Sequence, residues 1–223
     1  MGPVLLAALL VAYNNLRPEF GDRLYVVANL SVGVLLAAIA RGLLASNAKE
    51  LGLRRGRPKV TAAAGGAAVA LVAPLYLFAA FEPTARLIAD DRVAQLSVAG
   101  VAFQALIRIP FGTALFEEFA FRGVLFGLFS RRGRLFGAIA SSVPFGLWHI
   151  RPTLQLIDVN TAEAQPALVG LFVTGAVAIT AAAGLAFCWL RIKGRGIWAP
   201  VAFHAGVNSL SLVAAAIAHR QLG

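Results

Sequence analysis

Long apolar runs, joined by short polar connections, set the tightest limit on what this chain can fold into. They cover residues 3–13, 24–44, 61–81, 98–129, 135–149, 166–190 and 197–218. About 20 apolar residues cross a bilayer core as a helix, and most of these runs reach that length. A soluble domain has no interior large enough to hide them, because 59% of the 223 residues are hydrophobic and only 13% are charged, with mean hydropathy +0.78. Backbone polar groups in lipid must be satisfied within the spanning structure, which leaves helices or closed barrels. A barrel would show short alternating segments, and these runs do not alternate. The expectation is an all-α, polytopic transmembrane helical bundle of about seven spans, with the lipid bilayer as its first partner.

The net charge of +10 invites a nucleic-acid reading, which its distribution opposes. Lys49, Arg54, Arg55, Arg57 and Lys59 share one connection; Arg131, Arg132 and Arg134 share a second; Arg191, Lys193 and Arg195 share a third. Each cluster separates two apolar runs, the pattern of cytoplasmic loops. The remaining connections are nearly balanced, as in Arg151, Asp158 and Glu163, and are expected outside. No nucleic-acid partner is expected. This pattern of charged loops places the N-terminus in the cytoplasm and the C-terminus outside; it does not decide the source, and the expected location is the plasma membrane of a bacterium, as an integral protein. Residues 3–13 lack a basic leader and a small-residue cleavage site, so they are expected to be a span and not a signal peptide. The lone Cys188 excludes a disulfide framework. Residues 1–97 are expected to form N-terminal transmembrane helices and 98–218 the transmembrane core, integrated as one membrane domain.

Small residues over 62–70 and 176–186 suit close helix packing. The run 98–129 is too long for one perpendicular helix, and Pro110 and Gly112 are expected to break or kink it. Arg108 is expected to snorkel to the outer interface.

Ionisable groups within spans are rare and are functional candidates by default. Three stretches carry them: "FEEFAFRG" with Glu117, Glu118 and Arg122; "FGLWH" with Phe145 and His149; and "FHAGVN" with His204 and Asn208. At 1.5 Å per residue, Glu117, His149 and Asn208 lie at ~20, ~21 and ~18 Å from the cytoplasmic ends of their helices, and His204 at ~12 Å. Three helices of alternating direction thus place polar groups at similar depths. Glu118 and Arg122 are i,i+4 and share a face, where an ion pair keeps both charged. Glu117 points about 100° away, toward a different neighbour. His204 and Asn208 also share a face, as do Phe145 and His149.

A carboxylate and a histidine can hold and deprotonate a water, and a second histidine with an asparagine can supply N–H donors to an oxyanion. Together these make a hydrolytic site for an acyl bond. No Ser stands in a G-x-S-x-G context and Cys188 lies outside the three stretches, which argues against a covalent nucleophile. Other readings stay open at this level. Glu117, His149 and His204 could ligate Zn²⁺ as a His₂Glu set, although no H-E-x-x-H pair is present. Intramembrane Glu, His and Arg also mark transporters and proton relays, although no repeated half is visible. A non-catalytic membrane scaffold is the third alternative.

The three stretches resemble the CAAX prenyl protease and bacteriocin-processing family of intramembrane glutamic endopeptidases. Its motifs E-E-x-x-x-R, F-x-x-x-H and H-x-x-x-N correspond in order to Glu117-Glu118-Phe-Ala-Phe-Arg122, Phe145-Gly-Leu-Trp-His149 and His204-Ala-Gly-Val-Asn208. The likeness covers roughly 113–209. It implies an all-α protease with Glu117 as the water-activating base, His149 as its partner, and His204 and Asn208 as the oxyanion hole. Glu118 and Arg122 would support the site, and Phe145 would pack beside it. It further implies a membrane-associated protein or peptide substrate and no cofactor. The best-known relatives remove the last three residues of prenylated CAAX proteins; others are linked to bacteriocin maturation or self-immunity. Relatives with an extra terminal helix are expected to have no counterpart here, since the chain ends soon after the third motif.

Overall fold

The computed structural model describes residues 2–160 and 165–222, so Glu163 lies outside the described residues. Eight helices carry the architecture: α1 (Gly2–Leu16), α2 (Asp22–Gly42), α3 (Pro58–Ala80), α4 (Val98–Arg132), α5 (Arg134–Trp148), α6 (Ile150–Asn160), α7 (Pro166–Gly194) and α8 (Trp198–Gln221). No strand occurs among the described residues. Five helices, α2, α3, α4, α7 and α8, are long and apolar enough to cross a membrane. α1 and α5 have 15 residues each, or ~22 Å of rise, against a hydrocarbon core of about 30 Å. The polar stretch after α5 is itself helical, as α6. With its apolar runs folded as spans, the chain is an integral membrane protein.

α3 packs most extensively on α8, and α5 on α7. Small residues permit both. A Cβ on Gly206 would lie 2.8 Å from the Ala68 Cβ, and one on Gly146 would lie 2.6 Å from the Val177 carbonyl. Such approaches give helices in lipid their van der Waals contact. Outward positions such as Leu71, Leu77, Leu171 and Ile179 are exposed, as lipid-facing residues must be.

Pro110 does not break α4. The helix continues through it by widening into π-helical turns over Gln104–Leu115 and again over Glu118–Leu125. A π-turn reassigns hydrogen bonds to i→i+5 and is common at functional sites. It accommodates the missing N–H of Pro110 and leaves the Gly112 carbonyl to accept from the buried Asn29 Nδ2 at 2.7 Å. Gly112 sits tight against α2, where a Cβ would meet Val26 at 3.0 Å. Arg108 is paired: its Nε lies 3.1 Å from Asp22 Oδ1, and its guanidinium covers the Tyr25 ring at 4.4 Å.

The 43–57 connection folds back under α4. Leu51 is fully buried in the main core with Phe121, Val124 and Leu125. A Cβ on Gly127 would lie 2.7 Å from the Glu50 carbonyl, so the loop and helix meet backbone to backbone.

Candidate active site

The second π-helical stretch carries Glu118 and Arg122, and Glu117 immediately precedes it. Glu117, Glu118 and Arg122 are 3%, 0% and 0% exposed, so each must find partners inside the protein. Glu118 Oε1 accepts from Arg122 Nη1 at 3.2 Å and from His204 Nδ1 at 2.9 Å. The expected i,i+4 pair is therefore present, joined by an imidazole from α8. The Arg122 guanidinium also lies over Phe145 at 3.8 Å and Phe187 at 4.9 Å. These ring faces offer negative potential to a cation otherwise served by one carboxylate oxygen. Arg122 Nε and Nη2 and Glu118 Oε2 have no hydrogen-bond partner among the described residues. Phe187 also stacks on His204, with centroids 5.2 Å apart and planes 23° apart, which holds the imidazole flat against α7.

Glu117 faces another way. Its Oε1 accepts from the indole Nε1 of Trp148 at 3.0 Å. Its Oε2 has no hydrogen-bond partner among the described residues and lies 3.9 Å from His204 Nε2. His204 therefore spans the two carboxylates, with Nδ1 on Glu118 and Nε2 toward Glu117. Which nitrogen carries the proton is set by the bond the other makes. A carboxylate at Nδ1 fixes Nδ1–H.

His149 occupies the turn between α5 and α6. Its Nδ1 lies 2.8 Å from the Phe145 carbonyl, and its ring meets that of Phe145 edge-on at 4.7 Å. It makes no hydrogen bond to Glu117 among the described residues. Asn208 lies one turn beyond His204, half-buried, with its carboxamide in no hydrogen bond among the described residues. Thus Glu117, Glu118, Arg122, Phe145 and His204 converge directly, while His149 joins through Phe145.

Two contributions were missed in reading the sequence. Trp148 is 1% exposed and packs on Tyr13, Phe116 and Phe121 while it holds Glu117. The other comes from α1. Asn14 Nδ2 donates to the Trp148 carbonyl at 2.7 Å. Asn15 Nδ2 donates to the Leu147 carbonyl at 3.1 Å, and its Oδ1 accepts from the Arg151 N–H at 2.9 Å. The two asparagines satisfy terminal groups of α5 and α6, which helix ends leave unpaired, and so fix the junction that presents Trp148 and His149. Two adjacent asparagines directly after the first apolar run were the available signal.

The alternative Zn²⁺ set would draw on Glu117, His149 and His204. Among the described residues, no three His, Cys, Asp or Glu side chains are grouped for metal ligation. His204 Nδ1 is engaged by Glu118 and His149 Nδ1 by the Phe145 carbonyl.

No curated protein and no solved structure matches the chain. A family model does match, that of the type II CAAX prenyl endopeptidase Rce1-like proteins, over residues 99–210. That span is half of the chain and contains every motif residue described above. With a buried Glu–Arg–His cluster inside an all-helical membrane bundle and this match across it, the chain belongs to the Rce1-like family of CAAX-type intramembrane endopeptidases.

Proposed function

We propose that the protein hydrolyses peptide bonds of membrane-associated proteins or peptides by water that Glu117 activates, without a metal or other cofactor. The observation that carries this reading is the asymmetry of the two carboxylates. Glu118 is committed to Arg122 and His204, whereas Glu117 is held by one oxygen and its other, beside His204 Nε2, has no hydrogen-bond partner among the described residues.

In this reading Glu117 Oε2 takes a proton from water as hydroxide attacks the carbonyl carbon. The imidazolium form of His204 donates Nε2–H to the developing oxyanion, and the Asn208 carboxamide is the second donor. On collapse the C–N bond breaks, and Glu117 returns its proton to the leaving amine. The products are a carboxylic acid and an amine, which exchange a proton and leave as carboxylate and ammonium. His149 assists Glu117 from the α5–α6 turn. Glu118, paired to Arg122, holds the imidazole, and Phe145 packs against the Arg122 guanidinium and the His204 ring. The basic connections are placed in the cytoplasm with the N-terminus, in a bacterial plasma membrane, and residues 98–218 act as the catalytic core.

The test compares the N- and C-termini of membrane proteins in cells expressing wild type or Glu117→Gln at matched levels. Termini present only with wild type, and reduced about 100- to 10,000-fold by the variant, identify the substrates. Identical termini in the two strains refute the reading. Cleavage by the purified protein should also survive chelation; activity lost to a chelator and restored by Zn²⁺ would return the metalloprotease alternative.

A further inference from the structure

At the basic end of the bundle lies a cavity of about 1020 Å³, apart from the carboxylate site. Seven cationic side chains and one acidic one line it. They come from three segments distant in sequence: the 43–57 connection with Arg54 and Arg57, the start of α5 with Arg134, and the end of α7 with Arg191 and Lys193. The acidic residue, Glu50, is engaged by Arg131 at 2.5 Å. None of the seven cations forms a salt bridge among the described residues.

The segments are fastened to one another. Arg57 N–H donates to the Gly194 carbonyl at 2.8 Å, Ile197 N–H to Gly52 at 3.0 Å, and Trp198 Nε1 to the Arg54 carbonyl at 3.0 Å. Arg191 is buried, at 8% exposure. Its Nε donates to the Arg122 carbonyl, and its Nη2 to those of Lys49 and Glu50. Nη1 takes part in no hydrogen bond among the described residues. Gly52, at φ +69°, makes room for this guanidinium, since a Cβ there would lie 2.4 Å from Arg191 Nε. Membrane orientation asks only that cations lie on one side. It does not ask that they converge on one cavity without counter-charge, where they repel each other.

We infer that this cavity binds a phosphate group, and that the phosphate belongs to the headgroup of an anionic phospholipid. The cavity lies where helices end, at headgroup level, and basic pockets between transmembrane helices on the cytoplasmic side take such lipids. Trp189 and Trp198, 57% and 38% exposed, stand at the same end, as interfacial aromatics do. Phe126 and Ile192 give the cavity an apolar side. This inference does not depend on proteolysis.

The experiment titrates delipidated full-length protein in neutral detergent with phosphatidylglycerol or phosphatidylcholine, and counts bound lipid by native mass spectrometry. Wild type is expected to prefer phosphatidylglycerol at least tenfold. Each cation near an anionic headgroup is worth a factor of about five, so Arg54→Gln with Lys193→Gln should weaken that binding about 30-fold. The charge-preserving pair Arg54→Lys with Lys193→Arg should retain it. If the double variant does not fold, Lys193→Gln and Arg134→Gln singly should each cost about fivefold. Equal affinity for the two lipids, or undiminished phosphatidylglycerol binding in folded neutral variants, overturns the proposal. Displacement of the lipid by inorganic phosphate at comparable concentration overturns the lipid assignment and leaves a free phosphate-bearing ligand as the occupant.

Discussion

Arg122 and Glu118 invite a double-mutant cycle, because both side chains are fully buried and each is the other's charge partner. Arg122→Met keeps most of the volume and the contact with Phe145 and Phe187. It leaves the Glu118 carboxylate with His204 as its remaining partner. Glu118→Gln keeps an oxygen for His204 and leaves a buried guanidinium with only ring faces opposite. Removing one member of a buried pair costs about 3–5 kcal/mol, whereas replacing both by neutral groups is close to neutral. Neither group touches solvent, so no screening reduces these figures. The three variants and wild type would be unfolded in mixed micelles with increasing ionic detergent, followed by tryptophan fluorescence. Each single variant should lose about 3–5 kcal/mol, and the double variant should lose less than either, giving a coupling of at least about 3 kcal/mol. Additive losses within about 0.5 kcal/mol would refute the claim that the two charges depend on each other.

Further outcomes follow from neighbouring contacts. Trp148→Phe removes the indole donor to Glu117 and keeps an aromatic ring. It should lower kcat/KM roughly 10- to 150-fold, the worth of a hydrogen bond to a charged group, measured on a substrate found by the terminus comparison. Asn14→Ala leaves the Trp148 carbonyl buried without its donor and should destabilise the fold by about 1–3 kcal/mol, read in the same micelle titration. Gly206→Ala places a methyl 2.8 Å from Ala68 and should cost about 1–3 kcal/mol by overpacking α3 against α8; unchanged stability would show that the two helices separate freely.

The apolar runs made the helices legible, and i,i+4 spacing made the Glu118–Arg122 pair legible, since both are local patterns. Depth counting also brought α4, α5 and α8 to one level. It could not show that His204 reaches both carboxylates, because that depends on how α8 rotates against Phe187. Pro110 signals a break or a kink locally; the widened turns that carry α4 through it are supported by Asn29, far away in sequence. Trp148 carries no signal in the sequence, because an indole N–H gains a role only once a carboxylate faces it. Arg191 read as a topology marker, because its burial depends on Gly52 and the loop folded under α4.

The asparagine pair of α1 sits outside the 99–210 stretch that marks the family. It nonetheless caps the junction that delivers Trp148 to Glu117. Ancestry and mechanical integrity therefore have different boundaries in this molecule. A polypeptide cut to the matched stretch would keep every motif and lose the brace at its α5–α6 hinge. Transplanting the motifs onto another set of leading helices would restore function only where that first helix again ends in side chains able to grip the hinge.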